Sequence, residues 1–160
     1  MSTPYQAYIK DLVDHFRKTL DYLKNTAKYF HDNSSQLGTP VACILITRTI
    51  VEVQATLEDI VAMLGSMRRE IDVRATARTL MIETDKELVD KLASQGLIDS
   101  EKAQQAKNAL DQEEQALQDQ FSQLVQDFSN AYSDIDNYYQ NVLNEILGYY
   151  QDLNCSEAIY

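Results

Sequence analysis

Tryptophan is absent, and glycine occurs four times and proline twice in 160 residues. So few helix breakers in a chain that is 44% hydrophobic suit one helical domain with a core of its own. No stretch approaches the roughly 20 uninterrupted apolar residues of a membrane span. The nearest, Val41 to Ile46, meets Arg48 and Glu52 almost at once. The opening Met-Ser-Thr-Pro-Tyr-Gln lacks the basic and apolar regions of a signal peptide, so cytoplasmic synthesis is the expectation. Signal-less export, or assembly into an extracellular or virion structure, stays open.

Basic residues are missing from the last third. Residues 1–107 hold all 14 Lys and Arg against 15 Asp and Glu, whereas 108–160 hold ten acids and no base. The net charge of −11 therefore lies almost wholly in that segment, which repels nucleic acid and anionic lipid. The bases elsewhere form no acid-free stripe, and no nucleic-acid partner is expected.

Catalytic motifs are absent too. There is no glycine-rich phosphate loop, Cys-x-x-Cys or nucleophile elbow, and the paired Glu-x-x-His of di-metal bundles does not occur. The two histidines, His15 and His31, belong to one segment, and Asp11 with His15 reads as a solvated pair one turn apart. No enzyme, metal or cofactor is expected.

What is present is helical periodicity on three segments. Thr3-Pro4-Tyr5-Gln6 reads as a capping box with proline at the first helical position. Behind it Tyr5, Ile9, Leu12, Phe16, Leu20, Leu23, Ala27 and Phe30 mark a first helix over about 4–31. A polar loop follows to Gly38. Thr39-Pro40 opens a second helix over about 40–95, with Thr39 as N-cap. Its apolar residues Ile46, Ile50, Val53, Leu57, Ile60, Leu64, Met67 and Ile71 alternate steps of four and three, the seam of a helix laid on other helices. At ~1.5 Å per residue it would span roughly 80 Å. Gly96 suits the left-handed position of a Schellman stop, and Asp99 suits the next N-cap. The third helix, about 100–153, repeats the pattern through Leu117, Phe121, Leu124, Phe128, Ala131, Ile135, Tyr138 and Val142.

A tight turn at 96–98 makes the two long helices antiparallel. Residues 41–67 and 125–153 are apolar-rich (17 of 27 and 14 of 29), and the halves next to the turn are poorer. The predicted fold is all-α: an elongated antiparallel hairpin, its rich end completed to a three-helix bundle by the first helix. A coiled coil over about 68–125 would project from it. The alternative is a compact four- or five-helix bundle broken at Gly65.

Four candidate features remain. Arg68, Arg69, Arg74 and Arg78 form either an anion or acidic-partner site or, for Arg74 near Asp119 and Arg78 near Glu113 and Glu114, cross-hairpin pairs that fix register. Ten tyrosines supply a partner or self-association surface, with Tyr8, Tyr22, Tyr29, Tyr139 and Tyr150 the candidates, or else they rim the core. Val41 to Ile46 is apolar all round, so Ile44 would face another subunit. Cys43 and Cys155 reach the same end of the hairpin, and unlinked thiols are expected there.

The functional expectation is a non-enzymatic structural or interaction protein, a self-associating hairpin subunit of a filament, scaffold, virion or secretion apparatus. Its partner is protein, and a homo-oligomer is expected. A membrane-active component of pore-forming-toxin build is the alternative. An adaptor or chaperone for a basic partner is a further one.

Overall fold

The computed structural model describes residues 4–159. Five helices follow one another: α1 (Pro4–Asp32), α2 (Ser34–Leu37), α3 (Thr39–Ser94), α4 (Ser100–Asp152) and α5 (Cys155–Ile159). The chain is all-α, and it divides into two compact units. One comprises residues up to 64 and those from 127 onward, and the other residues 65–126.

In the first unit α1, the first half of α3 and the second half of α4 form a three-helix bundle. Phe16 and Leu20 of α1, Ile46, Val53 and Leu64 of α3, and Phe128, Ile135 and Ile146 of α4 are its fully buried large side chains. Each is worth about 1.5–3 kcal/mol in apolar burial, enough together to carry the unit. Thr49 is the buried polar residue among them, and its hydroxyl donates to the Ile46 carbonyl at 2.6 Å, so it carries no unmet hydrogen bond into the core.

Helix direction follows from the polar contacts. Gln6 Nε2 donates to Asp127 Oδ2 at 2.7 Å, Arg17 pairs with Asp134 and Lys24 with Glu145 at 3.7 and 3.9 Å, and the Tyr138 hydroxyl donates to Asp21. Partner numbers rise together on both helices, so α1 and α4 run parallel and α3 runs against both. Asp127, Asp134 and Glu145, three of the acids that make the last third so negative, thus face groups on α1.

The second unit is the antiparallel hairpin of α3 and α4. Its turn is built as the sequence demands. Leu97 N–H bonds the Leu92 carbonyl and Gly96 N–H the Ala93 carbonyl, with Gly96 at φ +75°: both bonds of the Schellman motif. Lys102 N–H donates to Asp99 Oδ1 at 2.7 Å, which makes Asp99 the N-cap of α4.

Three details differ from expectation, and a fourth is not reached. The capping box at Thr3 lies outside the described residues. The segment after α1 is not all loop, since Leu37 N–H reaches the Asn33 carbonyl and Gly38 N–H the Ser34 carbonyl, closing the single turn of α2. The cap of α3 is Gly38 rather than Thr39: the Ala42 N–H bonds the Gly38 carbonyl at 3.0 Å. Pro40 still lies in the first turn, where no N–H is required. Finally, α3 is helical through Gly65, which overturns the bundle broken at that glycine.

Candidate interaction surfaces

α3 is amphipathic in neither unit. In the bundle its buried residues are Ala42, Cys43, Ile46, Thr49, Val53, Ile60 and Leu64. On the opposite side Ile44 and Val51 are each 57% exposed, and Val41, Val61 and Met63 are exposed with them. In the hairpin unit the outward side of α3 carries Val73, Leu80, Met81, Leu88 and Leu92. Among the described residues, α4 exposes no large apolar side chain in either unit. An exposed leucine is ordinary; a run of exposed aliphatic side chains along one helix is not. Although no spanning stretch was expected, α3 also holds an 18-residue window long and apolar enough, by length and composition, to cross a membrane; 28% of it is buried.

The aromatic flank is divided. Tyr8, Tyr22 and Tyr29 stand on the outer side of α1, with Tyr22 70% exposed. Tyr150 is half-buried. Tyr139 does not join them: it is 9% exposed and belongs to the core, while its neighbour Tyr138, expected inside, reaches the edge to bond Asp21. Adjacent helix positions point about 100° apart, and only one of the pair can turn inward. That bond to Asp21, with partial burial second, raises the Tyr138 hydroxyl to about 12.

Within the arginine cluster two ion pairs run along α3 itself. Arg74 Nη2 lies 2.7 Å from Glu70 and Arg68 Nε 3.5 Å from Asp72, each one turn away on α3 itself. Arg69 donates to Ser66 at 3.3 Å, and Arg78 is exposed. Across the hairpin the pairs are Lys86 with Asp111 and Glu114, and Lys107 with Asp90. They centre the turn between Ile98 and Asp99 rather than on Leu97, a shift of about one helical turn in what faces what. The cause is a change of step. After Ile71 the residues facing α4 are Ala75, Thr79 and Ile82, so two steps of four succeed one another where the earlier alternation puts Arg74 and Arg78. Such an insertion in a heptad pattern turns the following side chains outward.

At the end of the bundle two links converge on the C-terminal segment. Cys43 and Cys155 are joined by a disulfide, Cα to Cα 5.3 Å, and both are fully buried. The expectation of unlinked thiols is therefore corrected. The signal lay in Asn154, which takes the left-handed conformation (φ +51°) that asparagine tolerates and turns the chain into α5. A plain tail is expected from Asn154 onward, and Cys155–Ile159 instead forms the short helix α5. Beside this link, His31 stands between two carboxylates. Its Nε2 lies 2.6 Å from Asp152 Oδ2 and its Nδ1 3.0 Å from Asp32 Oδ1, with the ring 5.0 Å from that of Tyr149. Carboxylates only accept, so this arrangement favours the doubly protonated ring, in which both nitrogens donate. The bond to Asp152, then that to Asp32, raises its pKa above 6.5. Among the described residues no three His, Cys, Asp or Glu side chains converge as metal ligands.

Residues 76–128, a third of the chain, match a family described as a protein of unknown function (DUF2680), a description that carries no activity. No curated protein and no solved structure matches the chain significantly.

Proposed function

We propose that this chain is a non-enzymatic structural and interaction protein, a subunit that associates with copies of itself in a larger assembly. The observation that carries the reading is the outward apolar side of α3. Ile44 and Val51 in the bundle, and Leu80, Met81 and Leu88 in the hairpin, stand in water on a helix whose opposite side already fills the core. A helix apolar on both sides is normally central, and two neighbouring helices cover only one of those sides here. The buried Cys43–Cys155 bond supports residence in an oxidising environment, where such links persist.

Sedimentation velocity over a dilution series tests this. The expected result is a sedimentation coefficient that falls on dilution while the circular dichroism of the helices is retained. A single monomeric species from low micromolar to near-millimolar concentration would refute it.

A membrane-active protein is the second reading, favoured by the apolar and largely unburied window in α3. Release of a trapped dye from neutral phosphatidylcholine vesicles would support it, and intact vesicles at saturating protein would remove it.

A further inference from the structure

The outward residues of α3 in the bundle keep a seam of their own. Ile44, Arg48, Val51, Ala55, Glu58 and Ala62 follow at alternating steps of four and three, and all six are exposed. That alternation is the spacing of one helix packed along another. These positions lie away from the buried side formed by Ile46, Val53 and Ile60.

The seam is self-complementary when reversed. Laid antiparallel on its own copy about a two-fold axis level with Val53, Ile44 meets Ala62, Arg48 meets Glu58, and Val51 meets Ala55; the same three layers then recur in reverse. Each apolar layer joins a large side chain to a small one, which lets the helices approach closely without overpacking. Each polar layer joins opposite charges. No other alignment of the six residues pairs both charges with their opposites. Arg48 is held meanwhile by Glu52 one turn on, Nε to Oε1 3.4 Å, an exposed pair weak enough to give way. Among the described residues, Glu58 has no ion pair within its own chain.

We propose that this seam is where a second copy of the chain docks, forming an antiparallel two-fold dimer through α3. The inference rests on the self-association reading above and gives it a surface and a symmetry. Two-fold contacts are the commonest among oligomers, and they require a patch of this kind, in which residue i meets j and j meets i. A helix-on-helix contact from Ile44 to Ala62 covers about 27 Å of helix. The total burial is on the order of 1,000 Å², the low end of specific interfaces, and the dimer dissociates in the micromolar range.

Charge reversal tests it, read by sedimentation equilibrium on the full oxidised chain. Arg48→Glu places like charges in both polar layers and weakens the dimer at least about tenfold, and Glu58→Arg does the same. The combination R48E/E58R restores opposite charges in both layers and recovers the affinity to within about threefold. Both sites are exposed, and circular dichroism verifies that each of the three variants is folded. Self-association that ignores the reversals, or a double variant as weak as either single one, overturns the seam and leaves self-association standing. A strictly monomeric wild type overturns both. If the wild type is monomeric and instead floats with neutral phosphatidylcholine vesicles, the seam is a lipid contact and the dimer is likewise refuted.

Discussion

Removing the Cys43–Cys155 bond tests the bundle most severely. It closes a loop of 112 residues between the start of α3 and α5. On the chain-entropy account, cross-linking a loop of that length destabilises the unfolded state by roughly 5 kcal/mol at 25 °C, and strain in the folded state reduces the figure. Both cysteines are wholly buried, so a Cys43→Ala/Cys155→Ala variant also loses two sulfurs from the packing. A loss of about 3–5 kcal/mol is expected, with Tm lower by roughly 10–20 °C for a domain of this size. Urea denaturation of the oxidised wild type, the reduced wild type and the double alanine variant measures it. The denaturant slope should rise on reduction, because a chain freed of its cross-link exposes more surface. Matching midpoints for the oxidised and reduced chains would refute the reasoning, as would mass spectrometry finding both thiols free in oxidised native protein.

The remaining predictions concern single side chains. The raised pKa of His31 means that its contribution is complete below pH 6.5 and fades as pH rises through the folded value. Because Asp152 is largely exposed, the effect is less than about 1 kcal/mol, and thermal melts of wild type and His31→Gln should converge at alkaline pH. A difference that grew with pH would contradict the imidazolium clasp. Gly96→Ala meets open space but forces a Cβ into a left-handed backbone, and should cost about 1 kcal/mol in urea titrations. Phe128→Ala empties a fully buried site in the bundle and should cost about 3–5 kcal/mol, read from the same titrations.

Much of the fold is written locally. The seam from Ile46 to Ile71 needs only hydrophobic spacing, and the stop at Gly96 and start at Asp99 need only backbone chemistry, so all are visible in one dimension. What lay beyond reach depends on pairing. Past Ile71 the facing positions fall on Ala75 and Thr79, small or polar residues that announce no core, and the heptad count runs on into Arg74 and Arg78. Tyr138 and Tyr139 are alike in composition, and Asp21 on another helix decides which turns outward. The disulfide joins residues 112 apart through a turn at Asn154 that only tertiary proximity rewards. The outer side of α3 was half legible: Val41 to Ile46 is apolar all round, but the second seam appears only once the buried side is known.

On the proposed arrangement α3 serves two neighbours, its own chain inward and another copy outward. Pulsed dipolar spectroscopy on singly labelled protein addresses this directly, since any dipolar signal must arise between copies. A nitroxide at the exposed Gln54 lies beside the two-fold axis and should give a short distance. One at Thr39 lies 14 residues from Val53 and should give about 40 Å between copies, by helical rise alone. Equal distances at both positions would mean a parallel arrangement, and no dipolar signal at high concentration would mean that α3 faces no second copy.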